Sequence, residues 1–322
     1  MLPSKDVTLL HFAHAAYRFD LLYPNRKHGA QFFQTPDRDS MRERIGDGHV
    51  FVGSGFWKND LLADAANLKF IQVCAAGYNN FDLEALEKRG VILCNGTGVN
   101  MNAVSEHAMG LLLALTRHIH LGRDRQRLHD WRPMIADFNT REEELPEKIM
   151  LIYGMGTIGG RLARLAKAFG MRVIGMRRDT SADPGACDEL RHPKDFHAAL
   201  SESDVVVLTC PLTDETANLM DASAFQAMQS SAYFINVARG GCHDEAALIE
   251  AVKAGQIAGA GIDVTVEEPL DAASPLWDFD NVVITPHSAG ETRRYEENVL
   301  DVLVENLDRL WSGDTDLKNR IV

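Results

Sequence analysis

The feature that constrains this chain most is Gly154-Met155-Gly156-Thr157-Ile158-Gly159, a G-x-G-x-x-G run placed near the middle of 322 residues. A short apolar run, Ile149-Met150-Leu151-Ile152-Tyr153, comes before it. A helical pattern, Arg161-Leu162-Ala163-Arg164-Leu165-Ala166, comes after it. Strand, glycine turn and helix in that order form the context in which this motif binds a dinucleotide. The first glycine permits the tight turn, the second lets a pyrophosphate approach the backbone, and the third lets helix and strand pack closely. N–H groups at the start of the new helix then face the phosphates. About 150 residues precede the motif. Another structural unit therefore comes first, with a substrate expected between the two.

From Ile149 onward the β/α rhythm is regular, with strands expected at 149–153, 172–176, 204–209, 232–237, 258–262 and 281–285. The near-continuous apolar run Val205-Val206-Val207-Leu208 predicts a parallel sheet covered on both faces. One of the intervening helices spans 244–254 and ends at Gly255. Upstream, strands are expected at 7–12, 49–53, 70–75 and 91–94. A helix over 83–89 is stopped by Gly90, and the turn Ala76-Gly77-Tyr78 follows the third strand. A long helix is expected to begin at Ser105 and run from Glu106 to about His120. Its apolar residues crowd most sides, which marks it as a buried connector. The stretch 117–148 reads as polar and irregular, either a solvated loop or an arm gripping another subunit. A last helix over 291–311, with Gly313 as its stop, is free to fold back onto the first unit.

The formal net charge of −13 argues against wrapping nucleic acid, which needs clustered Lys and Arg. The five cysteines are scattered and form no C-x-x-C pair, so neither a disulfide framework nor a metal site is indicated. A reducing, cytoplasmic setting fits them. The first residues lack the basic and apolar regions of a signal peptide. The longest apolar helical run, 108–115, is too short to cross a membrane.

Three polar residues stand where sheet strands are expected to end, the edge at which open α/β folds bind ligands. Arg239 follows Tyr233-Phe234-Ile235-Asn236-Val237, Glu268 lies in the segment Asp263 to Leu270, and His287 lies in Thr285-Pro286-His287-Ser288. Taken singly, each has a plain reading: a solvated arginine, an acidic loop, a satisfied histidine. Their coincidence at the edge that carries the glycine turn gives them a joint meaning. Hydride transfer to a ketone carbon develops negative charge on oxygen. A histidine can deliver the proton, and a neighbouring carboxylate favours its charged form. An arginine can grip a substrate carboxylate with two prongs and polarise the carbonyl.

At this point the chain resembles the D-isomer-specific 2-hydroxyacid dehydrogenase family, close to its glyoxylate and hydroxypyruvate reductases. The resemblance rests on Ala76-Gly77-Tyr78, Ala103-Val104-Ser105-Glu106-His107, Gly154 to Gly159, Asn236-Val237-Ala238-Arg239-Gly240-Gly241, the Asp263 to Leu270 segment and Thr285-Pro286-His287. These pieces come in the family's order and span about residues 70 to 290. The resemblance implies an α/β fold of two Rossmann-like, doubly wound parallel-sheet domains. A substrate domain (1–101 plus 292–322) would be split by an inserted NAD(P)-binding domain (102–291). It implies that His287 is the general acid/base, paired with Glu268, and that Arg239 binds the substrate carboxylate and carbonyl. Ala76 and Gly77 would help hold that carboxylate through their N–H groups. Thr157, Ile158, Cys210, Pro211 and Ala238 would line the cofactor site with the three glycines, and Asp263 would hold the nicotinamide carboxamide. The substrate would be a small 2-keto or 2-hydroxy acid, with no nucleic acid or membrane partner. The 117–148 segment would serve a homodimer.

One departure concerns the cofactor. Members that prefer NAD carry Asp at the end of the second cofactor-domain strand, whereas this chain has Arg177 followed by Arg178, eighteen residues past Gly159. Two guanidiniums there suit a 2′-phosphate, so NADP is expected to be preferred over NAD. Formate dehydrogenases resemble the family but place Gln where Glu268 stands, so the chain does not look like one. It also ends soon after the last helix, with no room for a regulatory domain. Two rival readings share the same residues: a dinucleotide-sensing, corepressor-like binding protein and a phosphite-type dehydrogenase.

Overall fold

The computed structural model describes residues 2–322, the side chain of Asn139 excepted. The chain divides into two compact units, Met1–Asn100 with Thr292–Val322, and Met101–Glu291. The first contains strands β1 (Leu9–Ala13), β2 (Gln31–Thr35), β3 (Val50–Gly53), β4 (Phe70–Val73) and β5 (Ile92–Cys94). They pair in parallel in the order β2-β1-β3-β4-β5. Both faces are covered. Leu10, Phe12, Val50, Val52 and Phe70 belong to one core, and Ala13, Phe51, Ile71 and Val73 to another. That double burial is why these strands read as near-continuous apolar runs.

The C-terminal helix Tyr295–Ser312 belongs to this first unit. Tyr295, Val299, Leu303 and Leu307 recur every fourth residue, so they form one stripe, which packs onto the Leu10 and Val50 face. Asn306 lies within the buried part of the helix and is satisfied. Its amide donates to Gln72 Oε1 at 3.2 Å and to the Lys318 carbonyl at 3.1 Å. The helix ends where expected, at Gly313 with φ of 80°. It begins four residues later than the sequence reading has it.

The second unit holds β6 (Ile149–Tyr153), β7 (Arg172–Met176), β8 (Glu189–Arg191), β9 (Val205–Leu208), β10 (Tyr233–Asn236), β11 (Gly259–Ile262) and β12 (Val282–Ile284). All pair in parallel, in the order β12-β11-β10-β9-β6-β7-β8. The order reverses at β6, which leaves β7 and β8 on one side and β9 to β12 on the other. In open α/β sheets the crevice beyond such a reversal is where ligands bind.

Four local expectations need correction. The connector helix spans Met101–Thr116, so it starts before Ser105 and stops before His120. Ser105 has the chemistry of a helix cap, yet its hydroxyl donates back to the Met101 and Asn102 carbonyls at 2.8 and 3.0 Å, which keeps it inside the helix. The stretch after it is not wholly irregular. His118 turns left-handed at φ of 51° and a second helix, Ile119–Arg127, follows. No residue of that helix is buried, so no apolar stripe announces it. Strands β2 and β8 are absent from the sequence reading. Both lie at sheet edges and are mostly half-exposed, so neither carries an apolar run.

Each unit buries one histidine deeply. Burial pushes the His11 imidazole down to about 4, with the Arg44 guanidinium adding to the effect, and burial pushes His243 down to about 4. His11 Nδ1 and His243 Nε2 have no hydrogen-bond partner among the described residues. In the unfolded chain such rings take up protons near 6.5. Stability is therefore full above about pH 6.5 and is lost as pH falls toward 4, by up to about 1.4 kcal/mol per pH unit for each ring. Replacing His11 by Leu should flatten the fall of the urea midpoint between pH 6.5 and 4.5. An unchanged slope would show that this ring is not linked to folding.

Candidate active site

The glycine turn leaves β6 and opens the helix Thr157–Ala168. Two of its three glycines are demanded by the protein's own packing. Gly154 has φ of 109°, and a Cβ there would meet the Cys210 nitrogen at 2.7 Å. A Cβ on Gly159 would fall 2.2 Å from the Gly154 carbonyl oxygen. Gly156 has an ordinary φ of −84°, and a Cβ on it would meet no atom within 4 Å. Nothing in the protein's own packing requires glycine at that second position. The open space over its backbone is the cradle a pyrophosphate would occupy. No side chain caps the helix at Gly156, and Gly156 and Thr157 are exposed, with Ile158 half-buried. The first N–H groups of the helix are thus available to an anion. The residues present fit a dinucleotide.

Two strand ends flank this turn. At the end of β9, Thr209 Oγ1 donates to the Gly154 carbonyl at 2.7 Å, Cys210 packs behind the turn and Pro211 is exposed. A thiol–thiol hydrogen bond with Cys242, together with burial, raises the Cys210 thiol above its usual range, so it stays neutral. At the end of β7, Arg177 is half-buried and Arg178 is exposed. Arg178 lies 3.9 Å from Glu215 with both side chains largely in solvent, a pairing worth little. The first carboxylate after β7 is Asp179, which accepts from the backbone and hydroxyl of Ser181.

The acid–base candidates leave the neighbouring strands β10, β11 and β12. His287 Nδ1 lies 2.8 Å from Glu268 Oε2, and both side chains are nearly half exposed. Glu268 is fixed in turn by the Thr265 N–H, which donates to Oε1 at 3.3 Å. His287 Nε2 has no partner among the described residues and is open to a ligand. The residue adopts φ of 52°, a left-handed conformation that costs a non-glycine residue roughly 1–3 kcal/mol. Its N–H donates to the Asp263 carbonyl at 2.7 Å, which holds it there. The Asp263 side chain is buried and accepts from the Ser288 and Ala289 N–H groups at 2.9 and 3.0 Å.

Arg239 is exposed beyond β10. Its guanidinium donates to the Ala238 carbonyl at 2.6 Å, and it forms no ion pair among the described residues. The loop that carries it is organised by Asn236, which the sequence reading names within a motif but gives no role. The Asn236 amide donates to the Arg239 carbonyl at 3.0 Å and accepts from the Ala238 N–H at 2.9 Å. The signal for it is a polar residue closing an otherwise apolar, buried strand. Gly240 brings the loop flush with the next one, since a Cβ there would fall 1.9 Å from the Thr265 carbonyl oxygen. Asp263, Thr265, Glu268, Leu270, Trp277 and His287 line a cavity of about 620 Å³, ample for a small molecule.

All these residues gather at one edge of the seven-stranded sheet. Ala76 and Gly77 lie in the other unit, beyond β4. There Asn95 donates to the Ala76 carbonyl at 2.8 Å and the Gly96 N–H to the Ala75 carbonyl at 2.8 Å. No acceptor takes the N–H of Ala76 or Gly77 among the described residues.

A family model described as D-isomer specific 2-hydroxyacid dehydrogenase, NAD binding domain, matches residues 109–289. A glyoxylate reductase of Aeropyrum pernix is 37% identical over 265 residues, covering 79% of this chain and 76% of that protein. A glyoxylate/hydroxypyruvate reductase B of Serratia proteamaculans is 34% identical over 283 residues, covering 87% and 86%. A solved structure of a D-isomer specific 2-hydroxyacid dehydrogenase family protein from Aeromonas salmonicida aligns with a TM-score of 0.83 at 28% identity. It covers 98% of this chain and 99% of that one.

The three glycines should separate in experiment. Gly156→Val should fold with a melting temperature close to that of the parent, yet bind reduced dinucleotide at least about tenfold more weakly, because its side chain fills the cradle. Gly159→Ala should instead lose roughly 1–3 kcal/mol of stability through overpacking. Dinucleotide fluorescence titration and thermal melts check both. Full-strength binding by Gly156→Val would place the phosphates elsewhere.

Proposed function

The chain belongs to the D-isomer-specific 2-hydroxyacid dehydrogenases, oxidoreductases with a nicotinamide-binding domain, and on that premise we propose that it reduces a small 2-keto acid to the D-2-hydroxy acid. The observation that carries this reading is the Glu268–His287 pair at 2.8 Å, one loop away from an arginine with no carboxylate of its own. The dinucleotide, when bound, supplies the hydride for the keto carbon. The Arg239 guanidinium binds the substrate carboxylate and polarises the carbonyl. His287 Nε2 delivers a proton to the carbonyl oxygen as charge develops there. Glu268 on Nδ1 orients the ring and favours its charged form. In the opposite direction the same nitrogen takes the proton from the hydroxyl.

The remaining assignments follow in the same terms. Gly154, Gly156, Thr157, Ile158 and Gly159 would cradle the pyrophosphate, with Cys210, Pro211 and Ala238 lining the site and Asp263 holding the carboxamide. The first unit serves as substrate domain and supplies the Ala76 and Gly77 N–H groups to the substrate carboxylate. Arg177 and Arg178 favour NADP over NAD, since neither has a close, buried carboxylate partner among the described residues and a 2′-phosphate can take two guanidiniums. The names of the relatives point to glyoxylate and hydroxypyruvate as first substrates.

Leu128, Trp131, Met134 and Phe138 are at least three-quarters exposed. Large apolar side chains grouped so closely mark an interaction surface. We read this arm as the homodimer contact. The five cysteines are free thiols, which suits the cytoplasm.

The test is an absorbance assay with NADPH and NADH against glyoxylate, hydroxypyruvate, pyruvate and bulkier 2-keto acids. Turnover with glyoxylate or hydroxypyruvate is expected, with higher kcat/KM for NADPH. Comparable efficiency with both dinucleotides would defeat the arginine assignment. Silence across the panel with tight dinucleotide binding would favour a sensing role.

A further inference from the structure

Behind the turn that carries His287 lies a chain of contacts in which His107 and Thr285 have no part in the chemistry described above. The Asp263 side chain is 1% exposed, and a carboxylate so buried must be compensated. Beyond the two backbone N–H groups of Ser288 and Ala289, it receives the Thr285 hydroxyl on Oδ1 at 2.6 Å. His107, on the helix Met101–Thr116, places Nε2 at 2.8 Å from the same Thr285 oxygen and 3.5 Å from Oδ1. A hydroxyl has one hydrogen, and that of Thr285 is directed to Asp263. His107 Nε2 must therefore carry the hydrogen it shares with Thr285. Donation runs in one direction, from imidazole to hydroxyl to carboxylate, and ends on the carboxylate that grips both residues following His287.

We propose that His107 and Thr285 are positioning residues for the reaction, acting through Asp263 to hold the left-handed turn at His287. This rests on the reading of His287 as the acid/base. Neither residue needs to touch substrate. Their chain completes the donor set of Asp263, and Asp263 fixes the backbone on both sides of the catalytic ring, through its own carbonyl on the His287 N–H and its carboxylate on Ser288 and Ala289. With the chain cut, the carboxylate loses its hydroxyl donor, the turn loosens and the ring no longer holds its angle to Glu268. Reaction rates are steeply sensitive to such displacements.

The test uses two disruptive and two conservative variants of the full chain. His107→Leu and Thr285→Val keep the bulk and remove the hydrogen bond. His107→Gln and Thr285→Ser keep a donor and a hydroxyl. Amide hydrogen exchange at Ser288 and Ala289 and steady-state kinetics with NADPH and a 2-keto acid are measured together. The disruptive variants should exchange roughly tenfold faster at those two amides. Their kcat should fall on the order of tenfold, with KM for the 2-keto acid within about threefold of the parent. The conservative variants should recover most of both. The double variant His107→Leu, Thr285→Val should be no worse than the weaker single, because both residues lie on one chain. Parental exchange in the disruptive variants, or losses that multiply in the double variant, would overturn the proposal. Faster exchange in a protein whose parent turns over no 2-keto acid would uphold the positioning chain and overturn the reaction assigned to it.

Discussion

The parallel pairing of β10, β11 and β12 is the constraint on which the site depends. Three neighbouring strands that run the same way must release their following loops at the same edge. Asn236, Ile262 and Ile284 end those strands, and Arg239, Glu268 and His287 follow within a few residues. The register is set by apolar side chains buried on both faces, so it cannot slip without exposing a core. Packing that looks purely structural therefore fixes where the polar residues emerge. Gly240 tightens the arrangement, because its missing side chain lets the Arg239 loop rest on the Thr265 carbonyl.

Given that frame, the electrostatics are arranged locally rather than globally. The chain carries a formal charge of −13, yet the sheet edge displays Arg177, Arg178 and Arg239, none with a close buried carboxylate among the described residues. A local cluster of guanidiniums can attract an anion against the field of the whole surface. The carboxylates at this edge have other tasks. Glu268 faces His287, and Asp263, which also lines the cavity, holds the backbone beside it. Two acidic side chains close to one histidine thus differ in burial and in partners, which separates orienting the ring from holding its loop.

Much of the fold is legible in the sequence, because buried parallel strands advertise themselves as apolar runs and glycines mark the helix ends. Gly90, Gly255 and Gly313 all adopt left-handed conformations where the sequence predicts a stop. The edge strands β2 and β8 are not legible, since half-solvated strands need no apolar run. The helix Ile119–Arg127 is missed because none of its residues is buried. The reading of Ser105 as a helix start fails because its hydroxyl has an alternative partner inside the helix. Within the site, Arg239, Glu268 and His287 can be found because each lies in the loop after an apolar strand. Asn236, His107 and Thr285 fall within the motifs that carry the resemblance, yet their roles are not legible there, because their importance lies in partners. His107 and Thr285 are separated by 178 residues, and no local pattern connects them.

The proposed chemistry turns on one proton exchange, between the exposed Nε2 of His287 and the reacting oxygen. The most direct measurement compares turnover of a 2-keto acid by the parent and by His287→Ala, with reduced-dinucleotide binding followed by fluorescence in both. Loss of turnover on the order of 10²–10⁴ with binding largely kept is the predicted result. Near-parental turnover by His287→Ala would contradict that exchange and remove this histidine from the chemistry.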